Sequence, residues 1–297
     1  MAYVLAGREL STKTAVNDVQ RLFLRVYPLS GLISCNDDYR DSKECGTEGK
    51  RGMSEEMREG IWDIHTHCLP GIDDGARNWD ISMQMLQASW ETGVRTVIAT
   101  PHYLPWREPT PGETIRGLCL EAMERCRREL GIEMAILPGA ELYYYDDIVE
   151  DLKNGRALTM ADSRTVLVEF SERVPWSELS AGITRIRRSG YQPILAHAER
   201  YQCLRKSDHF QDILSRGILI QSNAQEIEGG LFNNMTRWVT RQYRERVIDF
   251  VASDMHNLDS RPPLSEKQIK WFRRNFDDEY FRRLFGEGIR RQLRQSF

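Results

Sequence analysis

The chain contains six histidines. Five of them fall where a short apolar run ends: His65, His67, His102, His197 and His256. His65 and His67 lie in Asp63-Ile64-His65-Thr66-His67, and in extended chain two side chains two residues apart point to the same face. Such a pair can grip one metal ion between its imidazoles. The chain continues Cys68-Leu69-Pro70-Gly71-Ile72-Asp73-Asp74-Gly75-Ala76, which brings two carboxylates to the same rim. Other run ends carry Thr100-Pro101-His102-Tyr103, Gly139-Ala140-Glu141, Val168-Glu169-Phe170, Ala196-His197-Ala198-Glu199-Arg200-Tyr201 and Ser253-Asp254-Met255-His256-Asn257. One histidine in such a place is usually a packed core residue with its hydrogen bonds met. Five, each beside or near a carboxylate, reverse that expectation and point to metal-ligating chemistry. His209, in a polar helical stretch, reads as structural.

These groups need a frame that collects them. Strand-type runs occur at Ile61–His65, Thr96–Thr100, Met134–Leu137, Thr165–Phe170, Pro193–His197, Ile218–Gln221 and Val247–Ser253. Helical spacing fills the gaps, over Trp79–Thr92, Thr114–Leu130 and Ser177–Ser189, and each of these stops at a glycine (Gly93, Gly131, Gly190), the usual residue just past a helix end. Seven strands alternating with helices predict an α/β fold with parallel pairing through right-handed crossovers, closed or nearly closed into a barrel. In a parallel barrel all strand C-termini open on one mouth, where the active site sits. The pattern therefore predicts one site built from several strands.

Composition narrows the function classes. Across 297 residues, 41 Lys+Arg against 44 Asp+Glu gives no basic surplus for general nucleic-acid binding. No apolar run approaches the ~20 residues of a membrane helix, so no membrane insertion is expected. Six scattered cysteines without zinc-type spacing read as reduced thiols of a cytoplasmic protein. Residues 1–60 differ from the rest: an amphipathic stretch (Val16–Val26), then a polar run (Asn36–Arg51) that buries too little to order itself. They read as a disordered N-terminal extension, or as untranslated sequence if Met53 or Met57 is the start. The aromatics of 267–297 suit a helix docked on the barrel. A cysteine phosphatase has Cys and Arg six apart, as Cys119 and Arg125 are, but Leu120-Glu121-Ala122-Met123-Glu124 is helix-forming, acidic and without glycine. That match is coincidence.

The same motifs, in order from Asp63-Ile64-His65-Thr66-His67 to Ser253-Asp254-Met255-His256-Asn257 with Arg261-Pro262-Pro263, resemble the PHP (polymerase and histidinol phosphatase) superfamily. Within it they look like the bacterial protein-tyrosine phosphatases of capsule and exopolysaccharide operons. The resemblance runs from Ile61 to the C-terminus. One departure is Ala198, where the family usually has proline, which alters loop stiffness but removes no functional group.

The resemblance implies a distorted seven-stranded β/α barrel over 61–297, TIM-like, holding three divalent metal ions, manganese first, with iron or zinc as alternatives. By it, His65, His67, Glu141 and Asp254 hold the first ion, Glu141, Glu169 and His197 the second, and Asp74, His102 and His256 the third. Four carboxylates against three divalent ions leave a positive site that draws in a phosphate dianion, with Arg200 and Arg261 donating to its oxygens. Cys68, on the opposite face from His67, is expected to pack. The implied substrate is a tyrosine-phosphorylated protein, the tail of a bacterial tyrosine autokinase. A small phosphate such as histidinol phosphate, a nucleic-acid end, and a non-catalytic scaffold are the competing readings; the scaffold would be marked by lost ligands, and none of the nine is missing.

Overall fold

The computed structural model describes residues 60–230 and 232–294. The expectation of a disordered extension over 1–60 thus falls, but for Gly60, outside the described residues. The described chain runs β1 (Ile61–Thr66), α1 (Trp79–Glu91), β2 (Val94–Ala99), β3 (His102–Tyr103), α2 (Gly112–Arg125), β4 (Ala135–Pro138), β5 (Glu141–Tyr143), α3 (Ile148–Lys153) and β6 (Thr165–Glu169). It continues through α4 (Trp176–Arg188), β7 (Gln192–Leu195), α5 (Ser207–Ser215), β8 (Leu219–Asn223), α6 (Asn234–Arg244) and β9 (Phe250–Ala252), and ends in α7 (Glu266–Asn275), α8 (Asp278–Arg282) and α9 (Gly288–Arg294).

Each of the seven runs read as strands contains one, shifted by a few residues at its ends. β3 and β5 are additional. They resume β2 and β4 after breaks at Thr100-Pro101 and Gly139-Ala140, too short for any periodicity to mark them. Nine strands therefore form among the described residues, in two parallel sheets ordered β1-β2-β4 and β3-β5-β6-β7-β8-β9. The expected count was seven. The sheets curl: Thr66 bridges to Met255, Asp254 N–H donates to His65 O (2.9 Å) and His67 N–H donates to Met255 O (2.9 Å). Those bonds bring the chain just past β9 against β1.

Helices cover the outside, so the strands are buried on both faces and read as unbroken apolar runs. Val97-Ile98-Ala99, Val166-Leu167-Val168 and Ile194-Leu195 have no exposure at all. α1 and α4 end as expected, before Gly93 and Gly190 with φ of +99° and +89°. The C-terminal aromatics do pack, but on three short helices, not on one: Phe276 is extended (φ −134°, ψ 155°) between α7 and α8, and Gly286 (φ 173°, ψ −62°) interrupts the turn before α9. Phe272, Tyr280, Phe281 and Phe285 are all buried there. α7 starts on a capping box of Ser265 and Gln268.

Inside the curl the composition inverts. Asp63, His65, His67, Glu141, Gln221, Asn223 and Asp254 are buried to within 1%. Burying so many polar groups is costly unless they are paired or ligate something; His65, His67, Asn223 and Asp254 lie at or just past the C-terminal ends of β1, β8 and β9.

Candidate metal centre

β1 supplies His65, and His67 follows it; β3 supplies His102, β5 Glu141 and β6 Glu169. His197 follows β7, Asp254 and His256 follow β9, and Asp74 comes from the loop after β1. His65 Nε2 lies 3.1 Å from Glu141 Oε2 and 3.4 Å from Asp254 Oδ1. His67 Nε2 lies 3.3 Å and 3.6 Å from the same two oxygens and 3.3 Å from His65 Nε2. A tetrahedron of donors ~2.0 Å from a central ion has edges of ~3.3 Å, so the spacing fits a first-row divalent cation.

Next to this group, His197 Nε2 is 2.8 Å from Glu141 Oε1 and 3.4 Å from Glu169 Oε1. His102 Nδ1 is 3.1 Å from Glu141 Oε2 and 3.9 Å from Glu169 Oε2. Asp74 Oδ1 completes the cluster, 3.3 Å from His102 Nε2 and 3.4 Å from His256 Nε2. All nine expected ligands thus come together. The division among sites is less clean than expected: donor atoms of His67 also gather with Asp74, His102 and His256, and His102 also gathers with Glu141 and Glu169.

Four of the inward donor atoms lack hydrogen-bonding partners of their own. Glu141 Oε2, Asp254 Oδ1, His102 Nδ1 and His256 Nε2 are buried with no hydrogen bond, and an unsatisfied buried polar group costs about 1–3 kcal/mol. Bound cations would satisfy all four. In three of the histidines the outer ring nitrogen, by contrast, is held: His65 Nδ1 by Gln221 Oε1 (3.1 Å), His67 Nδ1 by Asp73 Oδ2 (2.7 Å) and His256 Nδ1 by the Asp254 carbonyl (2.9 Å), whereas His197 Nδ1 has no hydrogen bond. With Nδ1–H donating outward, each Nε2 lone pair turns inward, the tautomer a metal-ligating histidine needs. The donor set is all nitrogen and oxygen, with no thiolate.

Electrostatics without cations is strained in the same direction. Burial pushes Glu169 up, and the negative Glu141 beside it adds to this, to about 8. Burial pulls His102 down, but its contacts with Asp74 and Glu141 outweigh that and raise it to about 11. Asp74 is held far below the usual carboxylate range by His102 and His256. The backbone is strained too: His197 and Asp254 have φ of 31° and 55°, a left-handed conformation that costs a non-glycine residue about 1–3 kcal/mol.

The two arginines expected at the mouth both anchor on one ligand. Arg200 Nη2 donates to Asp254 Oδ2 (3.0 Å) and Arg261 Nη2 to the same oxygen (2.6 Å), with Asn223 Nδ2 as a third donor (2.9 Å). Gln221 and Asn223 were not among the expected site residues. The signal was present in the run Gln221-Ser222-Asn223, polar side chains at the end of a strand otherwise built to be buried. Asp73 read only as a rim carboxylate, whereas its Oδ1 accepts from Gly75 N–H (2.9 Å) and its Oδ2 from His102 N–H (3.2 Å). Cys68 packs with no exposure, and burial pushes its thiol up to about 12. Cys119 is buried in α2, its thiol raised well above the ordinary value by burial, and Arg125 pairs with Glu121 and Glu129. No thiolate nucleophile is built there. His209 stacks on Trp176 (centroids 4.4 Å apart) and bonds Cys203 O, a structural role.

A curled parallel α/β sheet with a buried cluster of histidines and carboxylates at its strand C-termini defines a metal-dependent hydrolase type of site. The sequence matches the family model for "Capsular polysaccharide synthesis, CpsB/CapC" over residues 61–294, and the chain belongs to that family. It is 31% identical over 242 residues to the tyrosine-protein phosphatase CpsB of Streptococcus agalactiae serotype V, covering 79% of this chain and 99% of that protein. It is 29% identical over 220 residues to the tyrosine-protein phosphatase YwqE of Bacillus subtilis, covering 73% and 85%. The fold superposes with a TM-score of 0.71 and 28% identity on a crystal structure from work on YwqE and on CpsB from Streptococcus pneumoniae, described as unique metal-dependent tyrosine phosphatases. That match covers 80% of this chain and 96% of the other.

Proposed function

We propose that this chain is a metal-dependent protein-tyrosine phosphatase of a capsule or exopolysaccharide system. Its substrate is the tyrosine-rich tail of a tyrosine autokinase, met in the cytoplasm. The observation that supports this most is the set of four buried donor atoms without hydrogen bonds, facing one another at the strand ends, in a chain of this family. The region 61–297 is read as one barrel of seven strand units, with β2–β3 and β4–β5 each counted as one interrupted strand.

Three divalent ions, manganese before iron or zinc, are the proposed cofactors. His65, His67, Glu141 and Asp254 would hold one, Glu141, Glu169 and His197 the second, and Asp74, His102 and His256 the third. Bound cations supply Lewis acidity and lower the pKa of coordinated water toward neutrality. The rest falls to the chain itself. Asp254 turns Oδ1 to the imidazoles and Oδ2 to Arg200 and Arg261, which fixes both guanidinium groups beside the cluster. From there they donate charge-assisted hydrogen bonds to phosphoryl oxygens as charge develops. Arg261 Nε, buried without a partner, is a donor left for that purpose. A tyrosine phenol, with a pKa of about 10, leaves without a strong acid, and no dedicated acid is assigned.

A substrate panel tests this. With manganese, phosphate release is expected from a phosphotyrosine peptide and to stop with chelator, with phosphoserine peptide and histidinol phosphate turned over far more slowly. Preference for histidinol phosphate, or release indifferent to chelator, would overturn it.

A further inference from the structure

Among the described residues three large apolar side chains stand exposed: Trp106 (66%), Phe232 (98%) and Leu258 (37%). All three lie on loops that leave the C-terminal end of a strand, after β3, β8 and β9. Trp106 is also held in place. Its ring meets that of Tyr143 edge to face, centroids 4.8 Å apart at 74°.

Tyr143 ends β5, two residues beyond Glu141, so its side chain leaves the strand on the same face as that carboxylate. In the sheet register it sits opposite Glu169, while His102, four residues before Trp106, sits opposite Glu141. The two rings are thus carried by the strand ends that carry His102 and Glu141. Two strand residues span about 6.6 Å, which places Tyr143 one pleat above Glu141, toward the mouth. A ring esterified to a phosphoryl group at the donor cluster would have to leave the cluster toward the mouth, the side on which Tyr143 lies.

We propose that Trp106 and Tyr143 form an aromatic ledge that receives the phenyl ring of an aryl phosphate, and so select phosphotyrosine over aliphatic phosphate esters. This rests on the phosphatase reading above. The ledge adds ring-to-ring contact to an aryl ester and offers nothing to a seryl ester, whose chain is too short to reach it. Trp106 is a specificity residue here and takes no part in bond making.

Binding of two matched ligands tests this apart from turnover. Phenylphosphonate and methylphosphonate share a headgroup and differ by the ring; their affinities for manganese-loaded protein are measured by calorimetry. The wild-type chain should prefer the phenyl compound. Trp106→Ala should lose about three- to tenfold in phenylphosphonate affinity, the worth of one aromatic pair, and keep its methylphosphonate affinity. Trp106→Phe should recover most of the loss. A phenyl preference unchanged in Trp106→Ala overturns the ledge, and so does an equal loss for both ligands, which marks a structural role. Wild-type protein that binds neither phosphonate sinks the phosphoester reading itself, and the ledge with it.

Discussion

Asp254 serves two directions with one carboxylate. Oδ1 faces His65 and His67, while Oδ2 accepts from Arg200, Arg261 and Asn223. Burial alone would push this carboxyl up, but the surrounding imidazoles, His65 foremost, hold it below its ordinary value. Asp73 works one step further out, fixing the His67 ring through Nδ1. Such outer partners typically contribute 10–100-fold to metal affinity. Asp73→Asn should therefore weaken manganese binding by about that factor in a metal titration and leave the folded chain intact; unchanged affinity would remove Asp73 from this role. Cys119→Ser should leave phosphotyrosine turnover within about twofold, because a thiol buried in a helix and held protonated is no nucleophile. Eight of the nine expected donors were legible because each is a strong donor at or just past the end of an apolar run; Asp74, in the loop after β1, and the grouping of all nine around ions came from the resemblance. Gln221 and Asn223 were not legible, because amides at a strand end are also what a sheet margin looks like.

At the level of elements, the loop after β1 is folded back on the strand it leaves. Ala76 N–H donates to His67 O (3.0 Å) and Gly71 N–H to Ala76 O (2.8 Å). Gly75 makes this approach feasible: a Cβ there would sit 2.0 Å from His67 O and 2.5 Å from His67 Cβ. Both are main-chain or stem atoms that cannot swing aside. Gly75→Ala should move the loop, pull Asp74 and Asp73 off His102 and His67, and reduce activity at least tenfold with about 1–3 kcal/mol of stability lost, read by turnover and thermal unfolding together. Wild-type behaviour of that variant would show the loop is not held this way. Strand alternation was legible because buried parallel strands are apolar throughout. β3 and β5 escaped because two or three residues carry no period, yet these short pieces bring His102 level with Glu141.

For the whole molecule, the fold and the site are one arrangement. Parallel pairing sends every strand end the same way, and the curl that brings the segment after β9 against β1 turns separate donors into a cluster. The charge balance of the whole chain is nearly neutral, 41 Lys+Arg against 44 Asp+Glu, so no general electrostatic pull stands in for the cluster. No helix among the described residues is long and apolar enough to cross a membrane. The parallel alternation was readable from the sequence; the splitting of the strands into two sheets was not, since it depends on breaks at Thr100-Pro101 and Gly139-Ala140 that look like ordinary loop starts. Loaded with cations, the histidine–carboxylate cluster is expected to perform phosphotyrosine hydrolysis. The most direct test is phosphate release from a phosphotyrosine peptide by the His65→Ala variant at saturating manganese, with circular dichroism to confirm folding. The variant should fold, with turnover down by at least a thousandfold, about 4 kcal/mol of lost transition-state stabilisation. A folded variant that keeps turnover near the wild-type rate would contradict it.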